Sequence, residues 1–286
     1  MSSKAGSTTQ PAKAVRRAGV ITHGKPATIG EGLERLRRVA DEAGVELVFS
    51  GVESEKHHLG PAAGDEDADV TVVLGGDGTM LRALKRSLET RKPVIGVNFG
   101  SVGFLTSIPG EELESGLPRV FAGEYEVVEL PTLDAEVGGA THVAVNDVVA
   151  ASSLIGRMIE LSWSVGGEDL GEVPCDGVIC ATPSGSTGYN LSNGGPVLVW
   201  GLDAMAITFI APHSLHARPL VVPRGRDVAI ESRTADVPVA VLIDGHLVGE
   251  LDNGDRVLVR LGGERSLLAL LPEATFFRRY RETFAP

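Results

Sequence analysis

The apolar positions of the chain change their period near its middle. In the first part, short continuous apolar runs alternate with stretches whose apolar residues recur every three to four positions. Arg17 to Ile21 predicts a buried strand, and Leu33, Leu36, Val39, Ala40 and Ala43 predict a helix across Ile29 to Ala43, closed by Gly44. Val45 to Ser50 and Ala68 to Leu74 predict two more strands, and the second (A-D-V-T-V-V-L) is too continuously apolar for a half-exposed edge. Thr79 to Thr90 predicts a helix with Met80, Leu81, Leu84 and Leu88 inward, and Pro93 to Val97 a further strand. Strands alternating with helices imply a parallel sheet with right-handed crossovers.

After about Pro118 the segments shorten and alternate, with Gly, Asp and Pro between them. Tyr125 to Leu130, His142 to Ala150, Met158 to Val165, Ala204 to Ile210, Asp227 to Ser232, Val237 to Ile243 and Arg256 to Leu261 all predict strands. Asp244-Gly245 and Asn253-Gly254-Asp255 punctuate them as turns. Phe276, Phe277, Tyr280 and Phe284 recur at helical spacing within Pro272 to Phe284 and predict a terminal helix. The expected fold is an α/β N-terminal domain with a Rossmann-like parallel sheet, a β-rich C-terminal domain and a C-terminal helix. The expected divisions are a disordered tail at 1–17, the α/β domain at 18–122, the β-rich domain at 123–271, and a helical segment at 272–286 packing back on the N-terminal domain.

Composition narrows the class. A length of 286 residues exceeds one typical domain of roughly 100 to 200. No apolar run approaches the roughly 18 residues of a membrane span, and Met1 to Arg17 lacks the apolar core of a secretory signal. A soluble, cytoplasmic protein with no membrane partner is expected. Cys175 and Cys180, five apart, match neither a metal nor a disulfide pattern and are expected as buried free thiols. The net charge of −12 argues against a nucleic-acid partner, which needs Lys and Arg concentrated on one face. It also sets a condition: substrates that carry phosphates must meet local positive potential from a metal ion, backbone N–H groups or a few placed arginines.

Two segments carry candidate chemistry. Gly75-Gly76-Asp77-Gly78-Thr79 lies between a buried strand and a helix, at the carboxyl end of a parallel sheet, where open α/β folds bind ligands. Its glycines let a ligand approach the backbone, and the N–H groups at a helix start favour phosphates. Asp77 would repel phosphates unless it binds a metal or takes the proton of an attacking hydroxyl. The plainer reading is a helix cap on a tight turn. The second segment, Asp176 through Pro196, crowds hydroxyl and amide side chains among glycines, a texture suited to a sugar-bearing ligand, with Tyr189 offering a stacking face. Here the plainer reading is a polar loop in which Ser186 or Thr187 caps a short helix.

Together, Gly75-Gly76-Asp77-Gly78-Thr79, Thr182 through Ser192 and Gly194-Gly195-Pro196 resemble the NAD kinases. So do Gly103-Phe104-Leu105-Thr106, Asn146-Asp147, Gly156-Arg157-Met158, Pro212-His213-Ser214-Leu215 with Arg218-Pro219, and Asp244-Gly245, over roughly Arg17 to Phe284. The resemblance implies phosphorylation of the adenosine-ribose 2′-hydroxyl of NAD by ATP or polyphosphate with Mg²⁺ or another divalent cation. It implies an active site between two domains, the second one binding NAD, and a homodimer or homotetramer whose subunits share NAD contacts. It casts Asp77 as the catalytic carboxylate, with a possible hold on the metal, and Gly75, Gly76, Gly78, Thr79 and Phe104 beside it. Asn146, Asp147, Arg157, Asp176, Thr187, Gly188, Tyr189, Asn190, Leu191, Ser192, Ala211 and His246 fall at its nucleotide-contact positions. Asp147 stands where Glu is usual, and Ser101 where Arg is common. A lipid kinase sharing the first motif and a non-catalytic NAD(P) sensor are the alternatives. Arg157, Arg218 and Lys25 are candidate phosphate contacts, and His57-His58 is expected in a solvated connector.

Overall fold

The computed structural model describes residues 13–59, 64, 67–100 and 103–284. Most of the expected N-terminal tail and Ser101 lie outside them. The chain divides into two compact units, one of residues 1–129 with 266–286, the other of residues 130–265. The divisions fall there rather than at 122 and 271 because two long strands, Glu126–Val137 and Arg256–Leu270, carry the chain out of the first unit and back.

The first unit holds strands β1 (Arg17–Thr22), β2 (Glu46–Phe49), β3 (Val70–Gly75), β4 (Val94–Asn98) and β5 (Ile108–Pro109). They pair in parallel in the order β2-β1-β3-β4-β5, and Leu268 of the returning chain lies parallel to Val94. β3 is central and buried along its whole length, as its unbroken apolar run requires. Helices α1 (Gly32–Ala43) and α4 (Leu113–Phe121) share one core with the strands through Leu33, Leu36, Val39, Leu113, Leu117 and Val120. Gly44 closes α1 in the left-handed conformation, as expected of a glycine after the last apolar position.

Helices α2 (Gly51–Lys56) and α3 (Asp77–Thr90) complete this part. α3 begins two residues before the expected start and buries Thr79, Met80, Ala83, Leu84 and Ser87, leaving Leu81 and Leu88 half-buried. The small residues Ala83 and Ser87 win the inner face because they let the helix lie close. Met80 reaches Gly96 of β4, where any side chain would strike its sulfur. The terminal helix, Phe276–Phe284, belongs to this unit.

The second unit is two antiparallel sheets over one core. Its strands are β6 (Glu126–Val137), β7 (Ala140–Ala144), β8 (Asp147–Ser152), β9 (Ile159–Val165), β10 (Glu168–Cys175), β11 (Gly177–Ala181), β12 (Ala204–Ile210), β13 (Leu220–Pro223), β14 (Val228–Ser232), β15 (Val239–Ile243), β16 (His246–Leu251) and β17 (Arg256–Leu270). One sheet runs β13-β12-β11-β8-β15-β16; the other contains β10-β9-β14-β17. Val148, Ala150, Val178 and Cys180 from the first meet Ile159, Leu161, Val228, Ile230 and Val257 from the second. Both cysteines are buried and free, and burial pushes each thiol up to about 12. The stretch His142 to Ala150, expected as one strand, is broken into β7 and β8 at Val145-Asn146, and that break builds part of the site.

Candidate active site

The turn from β3 into α3 is tight because Gly75 lacks a side chain: a Cβ there would lie 2.5 Å from Thr79 Oγ1. Asp77 occupies the first turn of α3, but its carboxylate makes no cap to its own helix. Instead Oδ2 accepts the Phe104 N–H at 2.8 Å and Oδ1 the Leu105 N–H at 3.0 Å. The helix-cap reading is thereby excluded, and the carboxylate of a half-exposed residue is fixed at the carboxyl end of β3 by two donors of another loop. Gly103 makes the approach possible, since a Cβ at that position would collide with the Asp77 carboxylate. Phe104 itself is buried, its ring 5.6 Å from that of Phe276 and 5.7 Å from that of Phe284, and so belongs to the core. Gly76 and Gly78 flank Asp77 with open space where side chains would stand.

Sequence reasoning did not single out the neighbour that completes this site. Arg279 of the terminal helix donates from Nη1 to the Gly103 carbonyl at 3.3 Å. Burial lowers its pKa, and the nearby Asp77 carboxylate draws it back up. Gly103, Thr106, Ser107 and Arg279 also line a cavity of about 480 Å³. The buried Ser107 hydroxyl in that wall has no partner among the described residues.

In the second unit the break between β7 and β8 is held by Asp244. Its carboxylate accepts the N–H groups of Val145 at 3.0 Å, Asn146 at 2.7 Å and Asp147 at 3.3 Å. Asp244 and Gly245 are both left-handed (φ 49° and 79°), so the turn predicted from this dipeptide returns β15 into β16 while presenting the carboxylate. Asn146 keeps a buried Oδ1 with no partner among the described residues. Asp147 is 8% exposed, and burial, followed by the charge of Asp244, pushes its carboxyl up to about 7. His246 is exposed, with Nδ1 3.0 Å from the Asp244 carbonyl.

The hydroxyl-rich loop fastens onto this same break. Thr182 and Ser184 donate to the Val145 carbonyl at 2.6 and 2.9 Å, and the Thr182 N–H donates to the Asn146 carbonyl at 2.8 Å. Ser186 and Thr187 donate to the carbonyls of Pro183 and Ser184 instead of capping the short helix α5 (Tyr189–Ser192). Buried Asn190 donates to Ser186 and Pro196 carbonyls and accepts from Thr208 Oγ1 at 2.7 Å. The hydroxyl density thus knits the loop first. What faces outward is Gly188, Tyr189 and Ser192, with Thr187 and Leu191 half-buried.

Strand register separates the remaining expected residues. Asp147 pairs with Ala181 at one end of the sheet, whereas Ala151 pairs with Gly177 at the other. Asp176 and Ala211 flank that far end, joined through the Asp176 N–H to the Ile210 carbonyl. Four residues of strand put the two groups about 13 Å apart. Asp176 is exposed, and Ala211 holds a left-handed φ of 42° that a non-glycine residue rarely adopts. Arg157 is exposed and paired with Asp236 at 2.7 Å, and Arg218 bonds the Ala217 carbonyl. Lys25 is exposed. His57 departs from expectation: its side chain is buried against Thr22 Oγ1 at 2.7 Å, beside the buried Glu53, because α2 folds over the end of β1.

Two family models match the chain: the ATP-NAD kinase N-terminal domain over residues 17–125 and the ATP-NAD kinase C-terminal domain over residues 145–270. An NAD kinase of Heliobacterium modesticaldum is 36% identical over 275 residues, covering 92% of this chain and 96% of its own. One of Gemmatimonas aurantiaca is 33% identical over 275 residues, covering 93% and 94%. An NAD kinase from Archaeoglobus fulgidus solved in complex with ATP superposes with a TM-score of 0.72 at 26% identity, over 93% of this chain and 98% of that one. Yeast NADH kinase complexed with NADH shares the fold, with a TM-score of 0.79 at 22% identity over 94% and 87%.

Proposed function

Because the chain belongs to the NAD kinase family and is a phosphotransferase acting on NAD, we propose that Asp77 is the carboxylate on which the transfer turns. The observation that carries this reading is the grip of the Phe104 and Leu105 N–H groups, which fixes the carboxylate of half-exposed Asp77 at the carboxyl end of β3. The adenosine-ribose 2′-oxygen attacks the terminal phosphorus of the donor. The bond from that phosphorus to the leaving phosphate breaks, and the hydroxyl proton passes to Asp77. Base catalysis of this kind contributes about 10² to 10⁴ in rate, with positioning supplying much of the rest.

A divalent cation fits the residues present. No cluster of three His, Cys, Asp or Glu side chains exists among the described residues. Mg²⁺ commonly needs only one or two carboxylates, with substrate phosphates and waters as its other ligands. In the alternative to taking the proton, Asp77 would help hold the ion, which would supply the positive charge that an acidic chain lacks. Asn146 and Asp147 stand at the β7–β8 break with His246 beside Asp244, and these residues together with Tyr189 are proposed to take the nucleotide. Asp176 and Ala211, at the far end of the same sheet, are proposed to serve the nucleotide of a neighbouring copy, so the active form is a homo-oligomer in the cytoplasm.

The decisive assay follows NADP formation from NAD with ATP or polyphosphate and a divalent cation. Turnover is expected with at least one donor, and Asp77→Asn is expected to lower kcat at least about 10²-fold while a cooperative melting transition survives at a lowered temperature, because an amide nitrogen cannot accept one of the Phe104 and Leu105 N–H groups. Normal turnover in that variant would remove Asp77 from the role. Full activity in a strictly monomeric form would refute subunit sharing.

A further inference from the structure

Asp77 is held by a turn that the terminal helix in part builds. Phe276, Tyr280 and Phe284 recur four apart along that helix, and the rings of Phe276 and Phe284 enclose Phe104, whose N–H donates to Asp77. One residue before Tyr280, the Arg279 guanidinium donates to the carbonyl of Gly103, the residue whose missing side chain lets Asp77 approach. The Arg279 Nε is buried and has no partner among the described residues. Adjacent Arg278 differs: it is exposed and bonds Glu282 at 2.8 Å. A guanidinium whose Nε is buried and unmet costs stability, so its place on the turn that holds Asp77 calls for a reason other than folding.

We propose that Arg279 is a positioning residue for the phosphoryl transfer, fixing the Gly103–Leu105 turn and balancing the Asp77 carboxylate so that it keeps one orientation as a phosphate-bearing donor arrives. This inference rests on the assignment of Asp77 above. It also identifies a placed arginine of the kind that the acidic composition demands. Arg157 and Arg218, the sequence candidates, lie exposed in the other unit.

A double-mutant cycle with steady-state kinetics tests it. Arg279→Gln is expected to lower kcat at least about tenfold, with KM for NAD and for the donor within about twofold of wild type. Arg279→Lys keeps the charge but lacks the guanidinium fork, and a three- to fivefold loss, roughly, is expected. In the Asp77→Asn background neither change should slow the enzyme further, because the group through which Arg279 acts is gone. A purely structural role would lower kcat by equal factors in both backgrounds, and that result would overturn the proposal. So would wild-type kcat in both Arg279 variants. Should Arg279→Gln lose its thermal transition, the lysine cycle decides by the same criterion. Full turnover in Asp77→Asn alone would remove the premise together with the inference, whereas an inert Asp77→Asn beside fully active Arg279 variants would sink the inference and spare the premise.

Discussion

Asp77 and Asp244 solve the same local problem and are used differently. Each sits at a turn and accepts backbone N–H groups from another loop: Asp77 from Phe104 and Leu105, Asp244 from Val145, Asn146 and Asp147. Asp244 is buried, and its carboxylate fixes the break between two strands. Asp77 is half-exposed, receives one donor on each oxygen, and sits by a turn that half-buried Arg279 bonds. A buried carboxylate with three backbone donors serves architecture, whereas the half-exposed one with two donors is the one proposed to meet a substrate. The number of donors and the exposure separate the two roles, and neither quantity is visible in an Asp-Gly dipeptide.

Three substitutions sharpen that contrast. The largest effect is expected at Asp244→Ala, which strands three N–H groups, two of them in buried bonds. At roughly 1–3 kcal/mol for each unmet buried donor, a loss on the order of 4 kcal/mol should appear as a large fall in the calorimetric melting temperature. A fall no larger than that of an exposed Asp→Ala change would contradict the architectural role.

The next effect concerns Asp147, whose carboxyl is pushed up to about 7 by burial and by Asp244. Its folded pKa exceeds its unfolded value, so the native state binds the proton more tightly. The associated stability is present below about pH 4 and is lost as pH rises through 7. Asp147→Asn should therefore melt higher than wild type at pH 8, by on the order of 2 kcal/mol, with the gap opening between pH 4 and 7. A gap independent of pH would show that Asp147 is not a buried acid under strain.

The smallest effect is expected at Gly103→Ala. Its Cβ would collide with the Asp77 carboxylate, so the carboxylate or its turn must shift. About a tenfold loss of kcat, near 1.4 kcal/mol, should accompany a nearly unchanged melting temperature. Unchanged kinetics would mean that the reaction tolerates a displaced Asp77.

The parts whose physics is local were legible in the order of the residues. An unbroken apolar run demanded a strand buried on both faces, and β3 is one. Glycines around Asp77 demanded a tight turn into a helix, and the motif set placed the chain among the NAD kinases. The second halves of these arguments were not local. Hydroxyls in Thr182 to Ser192 looked like ligand donors, yet most bond their own loop or the Val145-Asn146 break. His57 looked solvated, but its side chain is buried against Thr22 at the end of β1. Which donors meet Asp77 and Asp244 depended on long-range packing, because those donors lie 27 and about 100 residues away along the chain. Arg279, from the far end of the sequence, reaches Gly103 only because the terminal helix packs around Phe104. Periodicity records which face of an element is buried. It carries no record of which distant backbone a buried polar group will find, and that pairing sets the charge and exposure of the site.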